Sequence, residues 1–214
     1  MTTESNNLVC VQYGCGLSAP EGWLSYDTSP TLRLQRIPII GKFMPGVRFP
    51  KEVIIGDIRK RLPLADSTVD RAYCSHVLEH LALDDCRAAL RETYRILKPG
   101  GIFRLVLPDL EAQTRVYLEN VGNPEAPHDF MRGALLGTES RPSGLKGLAV
   151  SWLGNARHLW MWDYPALSKE LADVGFTDIR RAQFGDSGEK VYEGIEDQSR
   201  WDGHLGIHCV KPGN

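Results

Sequence analysis

The stretch "VQYGCGLSAPEGWLSYD", residues 11–27, decides how the chain is read. It starts on apolar, β-prone residues and breaks at Gly14, Cys15 and Gly16. Pro20 and Gly22 punctuate it again before "WLSYD" carries it to an acid, Asp27. A strand ending in glycine at the carboxyl edge of a parallel sheet is where such folds take ligands. "GCGLSA" fits the G-x-G-x-x-A spacing of dinucleotide turns, but the residues after it do not. Pro20 and Gly22 leave no helix whose N-terminus would hold a pyrophosphate. Asp27 follows Gly16 by eleven residues, whereas the dinucleotide fingerprint places its acid about 20 residues on. A nicotinamide oxidoreductase is therefore disfavoured. The turn suits a ligand with a ribose and no phosphates, approached closely by backbone, with Asp27 accepting from two ribose hydroxyls. Parallel neighbours usually need a crossover of about a dozen residues. The shorter link here predicts a tight, mostly non-helical crossover.

Outward from this stretch, period and punctuation give further elements. Strands are predicted at 8–13, 23–27, 52–57, 70–75 and 101–108, as continuous apolar runs that suit a parallel sheet covered on both faces. "LDDCRAALRETYRILKPGG" reads as an amphipathic crossover helix, with Asp84 or Asp85 as its cap. Leu90, Tyr94 and Leu97 share a face, and Pro99-Gly100-Gly101 forms the stop. It makes the fourth and fifth strands parallel. A second helix is expected from near Asp109 to about Asn120. Residues 121–157 lack periodicity and read as an insertion or lid. A helix over 164–176 and closing strands at 177–184 and 204–211 complete the chain. One domain, 1–214, accommodates all of this.

Composition narrows the class. Apolar residues are 42% and charged residues 24% of the chain, and the net charge is −2. No global positive field exists to hold nucleic acid or an anionic membrane. Lys51, Arg59, Lys60 and Arg61 read as a solvated face. The five cysteines, at 10, 15, 74, 86 and 209, include no C-x-x-C pair, which suits a reducing compartment. The start "MTTESNN" lacks the features of a signal peptide. No apolar run reaches the ~20 residues of a membrane helix. The expectation is a cytoplasmic protein.

"YGCG", "GWLSYD", "GDIRKRLPLADSTVDRAYCSHVLEHL" and "LRETYRILKPGGIFRLVLPD" together resemble the class I S-adenosylmethionine-dependent methyltransferases, in particular the methyltransferase type 11 branch. "VLEHL" with "RILKPGG" is the specific part, and the match covers residues 8–111. The resemblance implies an α/β, Rossmann-like, doubly wound sheet of seven strands with the last antiparallel, and a donor-binding core over 8–111. It implies S-adenosylmethionine as methyl donor, lying over the carboxyl ends of the first four strands. Gly14, Cys15 and Gly16 would form the donor turn, and Asp27 would bind the ribose. Asp57 and Ile58 would sit by the adenine, with Ser75 and His76 near the methionine part. The first strand starts at about residue 8, so the acceptor cover is assigned to 121–160 and to 28–51.

Methyl transfer to a hydroxyl needs a base. The candidates are His158, in the aromatic run "ARHLWMWDY" with Trp160 and Trp162 as walls, then His76, then Asp109. His80 is read as a structural residue of its turn and His128 as a solvated loop residue. No clustered ligand spacing points to a metal. The Asn/Asp-Pro-Pro-aromatic run of nucleobase amine methylation is absent after the fourth strand, where "CSHV" stands. The acceptor expected is a small molecule, sugar or natural-product intermediate, methylated on oxygen. The rival reading is a non-catalytic S-adenosylmethionine-binding regulator or inactive partner.

Overall fold

A seven-stranded sheet organises the computed structural model, which describes residues 8–44, 46–140 and 157–213. Its strands are β1 (Cys10–Tyr13), β2 (Trp23–Asp27), β3 (Ile54–Ile55), β4 (Val69–Ser75), β5 (Leu97–Pro108), β6 (Thr177–Ala182) and β7 (His204–Val210). They lie in the order β3-β2-β1-β4-β5-β7-β6. The first five pair in parallel, and β7 runs antiparallel to both β5 and β6. The fold is the Rossmann-like one expected, with the last strand antiparallel.

Coverage on both faces holds in the middle of the sheet and fails at its edges. β1 is buried throughout, and β5 is buried from Phe103 onward. β3 is a two-residue edge strand with both side chains exposed, not a run over 52–57. β6, at the other edge, buries only Ala182. An edge strand has a neighbour on one side only, and elements stacked on the sheet centre do not reach it.

Side chains of β5 alternate between two core layers, as strand geometry requires. Phe103, Leu105 and Leu107 join Val11, Tyr13, Leu78, Leu90 and Phe176 on one face. Val106 joins Cys10, Trp23, Tyr73, Tyr192 and Trp201 on the other. Arg104 points to this second face and is fully buried. Its guanidinium bonds Glu196 at 2.7 Å and Asp186 at 2.8 Å, and lies 4.9 Å from the Trp201 ring centroid. This one side chain fastens the segment 183–201 to the sheet. All five cysteines are free thiols, and four of them are buried.

The helices follow local signals. α1 (Pro30–Gln35) and α2 (Pro38–Phe43) both start on proline, whose missing N–H costs nothing there. They form part of the 28–51 segment. α3 (Leu83–Ile96) has Ala82 at its N-cap with no side-chain bond, so Asp84 and Asp85 are not caps. They lie in the first turn, where they meet the helix dipole. The helix stops at Ile96, and Leu97 already belongs to β5, paired with Val69. α4 (Leu110–Glu119) is capped by Asp109 and ends at Asn120, as the sequence predicts. α5 (Ala126–Gly133) lies where the sequence reads as an irregular insertion. It is only eight residues long and buries only Ala126, and His128 is helical, not a loop residue. α6 (Tyr164–Val174) is capped by Asp163 and stops at Gly175. α7 (Gln198–Trp201) is a single turn capped by Asp197. Among the described residues no helix is long and apolar enough to cross a membrane.

Candidate functional site

The sheet order reverses direction at β1. β2 and β3 extend to one side of it, and β4 and β5 to the other. The carboxyl ends of β1 and β4, Tyr13 and Ser75, therefore open at a topological switch point, the place where open α/β sheets bind ligands.

The glycine turn is built for close approach. Gly14 has φ +63°, and a Cβ there would run into the Val77 side chain. Gly16 has φ +55°. Side chains are strained in that region, so glycine occupies both places. The link from β1 to β2 is non-helical, as expected, and is held from inside. The buried Gln12 amide donates to the Ser18 carbonyl at 3.0 Å and to Ser25 Oγ at 2.7 Å. Asp27 then ties the turn to β2. Its Oδ2 accepts from Gly16 N–H at 2.8 Å and its Oδ1 from Ser29 N–H at 2.7 Å. The eleven-residue spacing thus brings an acid into direct contact with the turn.

Two cavities flank this turn and share Tyr13 and Gly14. One, of about 360 Å³, is lined by Asp27, Asp57, Ile58, Arg59, His76 and His80 among others. The other, of about 370 Å³, contains Cys15, Gly16, Ser75, Asp197 and Arg200. Every residue assigned to the donor from the sequence lines one or both. Burial and the neighbouring Asp27 push the Cys15 thiol up to about 12, so this cysteine contributes backbone and bulk, not a thiolate. Asp57 is held below the usual carboxylate range by Arg59, whose backbone and guanidinium N–H groups reach it at 2.8–3.1 Å. Ser75 Oγ accepts from the Arg200 guanidinium at 2.7 Å.

The turn "VLEHL" places Glu79 and His80 together beside the first cavity, and His158 joins them from the segment at 157–160. Glu79 is fully buried, and neither carboxylate oxygen has a hydrogen-bond partner. His76 Nδ1 lies 3.4 Å and His80 Nε2 3.9 Å from Glu79 Oε1. The His158 ring stacks edge-on against His80, with centroids 4.9 Å apart. His158 is 7% exposed, and burial holds its imidazolium down more than Glu79 lifts it. The end of the expected lid is fastened here. Leu159 and Trp160 N–H donate to the Glu79 carbonyl at 2.7 and 3.1 Å, and His80 Nδ1 lies 2.9 Å from the Arg157 carbonyl. The lid's residues 141–156 lie outside the described residues.

The base candidates fare differently. His76 lies on the cavity wall. His158 stands beside His80 and does not line the cavity. Asp109 is occupied. Its Oδ1 caps α4 through Glu111 N–H at 2.9 Å, and its Oδ2 meets Arg181 at 3.2 Å. It sits there because an acid ending a strand before a helix is first of all a cap. Trp162 is not a pocket wall. It is 2% exposed in the core and bridges to Asp109, while Trp160 is 42% exposed. His80, read as structural, lines the cavity and belongs to a Glu79–His80–His158 group whose ligand-type atoms all lie within 4.8 Å of one another. That grouping escapes the sequence because 78 residues separate His80 from His158. Arg200 escapes it for the same reason, standing 125 residues from Ser75.

Residues 14–105, just under half of the chain, match a family model described as a methyltransferase domain. In fold the chain is similar to a solved S-adenosylmethionine-dependent methyltransferase from Archaeoglobus fulgidus, at 18% identity and TM-score 0.50, over 95% of this chain and 86% of that one. It is similar likewise to one from Thermotoga maritima, at 20% identity and TM-score 0.50, over 95% and 82%. At such identities the likeness is one of fold. Among curated proteins it is 36% identical over 110 residues to a 37.1 kDa protein in a transposon of Streptomyces fradiae, which is 49% of this chain and 31% of that protein. It is 29% identical over 124 residues to a protein of Saccharomyces cerevisiae, 58% of this chain and 14% of that one. The chain thus spans a minor part of the curated relatives it matches. Residues 14–105 thus match a methyltransferase domain, and the chain has the fold of solved S-adenosylmethionine-dependent methyltransferases.

Proposed function

We propose that the chain binds S-adenosylmethionine and transfers its methyl group to the hydroxyl of a small molecule, sugar or natural-product intermediate. The observation that carries this is Asp27, in direct contact with the Gly16 N–H and on the wall of the cavity that also holds Gly14, Asp57, Ile58 and His76. Under this reading Asp27 accepts from the ribose hydroxyls. Asp57 accepts from the adenine amino group, with Ile58 against the ring. Ser75 and His76 flank the methionine part. Arg200, whose guanidinium reaches the Ser75 hydroxyl and carbonyl, supplies a cation for the methionine carboxylate.

The reaction is an in-line displacement. The carbon–sulfur bond breaks with its electron pair left on sulfur, the carbon–oxygen bond forms, and the acceptor's proton leaves. The protein holds the two reactants at near-attack distance and excludes water. His76, on the cavity wall, takes the proton on Nδ1, the nitrogen that its Nε2 contact with the Arg200 carbonyl leaves unprotonated. Segment 121–160 covers the acceptor, anchored at its end on the Glu79 carbonyl.

Calorimetry with S-adenosylmethionine on the wild type and on Asp27→Ala tests the donor site. We expect binding weakened by about 1.5–3 kcal/mol, the worth of hydrogen bonds to a charged group. Unchanged affinity in a folded variant overturns the assignment. Conversion of donor to S-adenosylhomocysteine across a panel of hydroxyl acceptors tests the reaction, and binding without conversion favours the regulator.

A further inference from the structure

We propose that Glu79, His80 and His158 form a binding site for a divalent transition-metal ion such as zinc, at the acceptor end of the donor cavity. Three observations converge on it. First, Glu79 is 0% exposed and both of its oxygens are orphaned. A buried carboxylate without partners is costly enough that such groups are normally paired or bound to metal. Second, the Nδ1 of His158, a residue that is itself 7% exposed, also has no partner. Third, one ligand-type atom from each of the three side chains lies within 4.8 Å of the others.

The surroundings orient the rings toward this point. His80 Nδ1 lies 2.9 Å from the Arg157 carbonyl. A carbonyl only accepts, so the proton is on Nδ1 and the lone pair of Nε2 faces Glu79. His76 Nε2 lies 3.1 Å from the Arg200 carbonyl, so in the neutral ring the Nδ1 lone pair faces the same carboxylate at 3.4 Å. A carbonyl behind a ligand histidine that fixes its tautomer and aim is a regular feature of metal sites. Lone pairs turned toward a buried carboxylate repel it unless a positive charge stands between them. One proton satisfies one such pair, whereas a dication satisfies all of them.

The donor set selects the ion. Two imidazoles and one carboxylate suit zinc or another first-row transition metal, while magnesium and calcium prefer oxygen ligands. Zinc holds its ligands at about 2.0–2.2 Å, so binding draws the three side chains inward. Three protein ligands leave a position open, and His76 and His80 line the donor cavity. An acceptor hydroxyl in that position would lose its proton more readily. The three side chains define the site whether or not methyl transfer takes place beside it.

The experiment is zinc titration of the chelator-stripped protein by calorimetry, with magnesium as control, followed by X-ray absorption on the loaded sample. We expect one zinc per chain, no competition from millimolar magnesium, and a nitrogen/oxygen shell near 2.0–2.1 Å without sulfur at about 2.3 Å. Glu79→Gln and His158→Ala should each weaken zinc binding at least tenfold, and zinc should raise the melting temperature of the wild type only. His158→Ala removes a ring carried by the segment at 157–160, outside the sheet, and keeps the test open should Glu79→Gln fail to fold. No zinc bound above background, or a sulfur shell from the free cysteines, overturns the proposal. So does full zinc affinity in a folded His158→Ala.

Discussion

Gly14 shows how much a single residue can set. Its positive φ and the Val77 side chain at the place of a missing Cβ leave no room for alanine. Gly14→Ala should therefore lower donor affinity at least tenfold, because the turn must move away from the cavity it shares with Asp27. Equilibrium dialysis with labelled donor measures this, and near-normal affinity would mean that the ligand does not approach this backbone. His76 makes the second prediction at this scale. If it takes the acceptor's proton, His76→Gln should lower turnover by roughly 10²–10⁴-fold, well beyond any loss of donor affinity from its place beside the methionine part. Measuring both on one protein separates a base from a packing residue, since a packing residue would reduce turnover only in step with the folded fraction.

The elements around the site depend on buried charge. The segment 183–201, with α7 and Arg200, has no long helix of its own and is fixed by Arg104 reaching up from β5. The partner Glu196 side chain is 2% exposed. Arg104→Met leaves that carboxylate buried and unpaired, and breaking a buried pair in this way costs about 3–5 kcal/mol. Urea denaturation checks this, and a loss below about 1 kcal/mol would show that the other contacts of the segment, such as Arg71 with Glu189 and Arg200 with Ser75, hold it without Arg104. A similar device fixes the loop after Asp57. Glu92 accepts from Leu62 N–H at 2.7 Å and from the Arg95 guanidinium. Both acids hold irregular backbone that propensity cannot.

For the whole molecule, stability should fall on mild acidification. His208, in β7, is held down to about 4, chiefly by burial, with Arg180 and Arg104 adding to the effect and Asp186 and Glu189 opposing it. The unfolded chain takes up this proton near 6.5. Between about 6.5 and 4, unfolding binds a proton, so stability is full above that window and declines as pH falls through it. Melting temperature followed from pH 7 to pH 4 should decline for the wild type and less steeply for His208→Gln. Equal slopes would remove His208 from the acid response.

The sheet was written in the sequence because its cause is local. Short apolar runs, "GIFRLVLP" above all, put β1, β2, β4 and β5 within four residues of their observed bounds. The helices expected from near Asp109 to about Asn120 and over 164–176 match α4 and α6 for the same reason. The donor side was legible too, since Gly14, Gly16 and Asp27 lie within one short crossover and are tied by a direct bond. What the chain order could not give is whatever meets across the sheet. Arg200 reaches Ser75, and Arg104 reaches Glu196, because β5 and α7 pack together. Glu79 and His80 meet His158 because the segment at 157–160 bonds onto the turn after β4. From its position Asp109 reads as a base candidate. Only the folded backbone, with the Glu111 N–H at 2.9 Å, shows it as a cap.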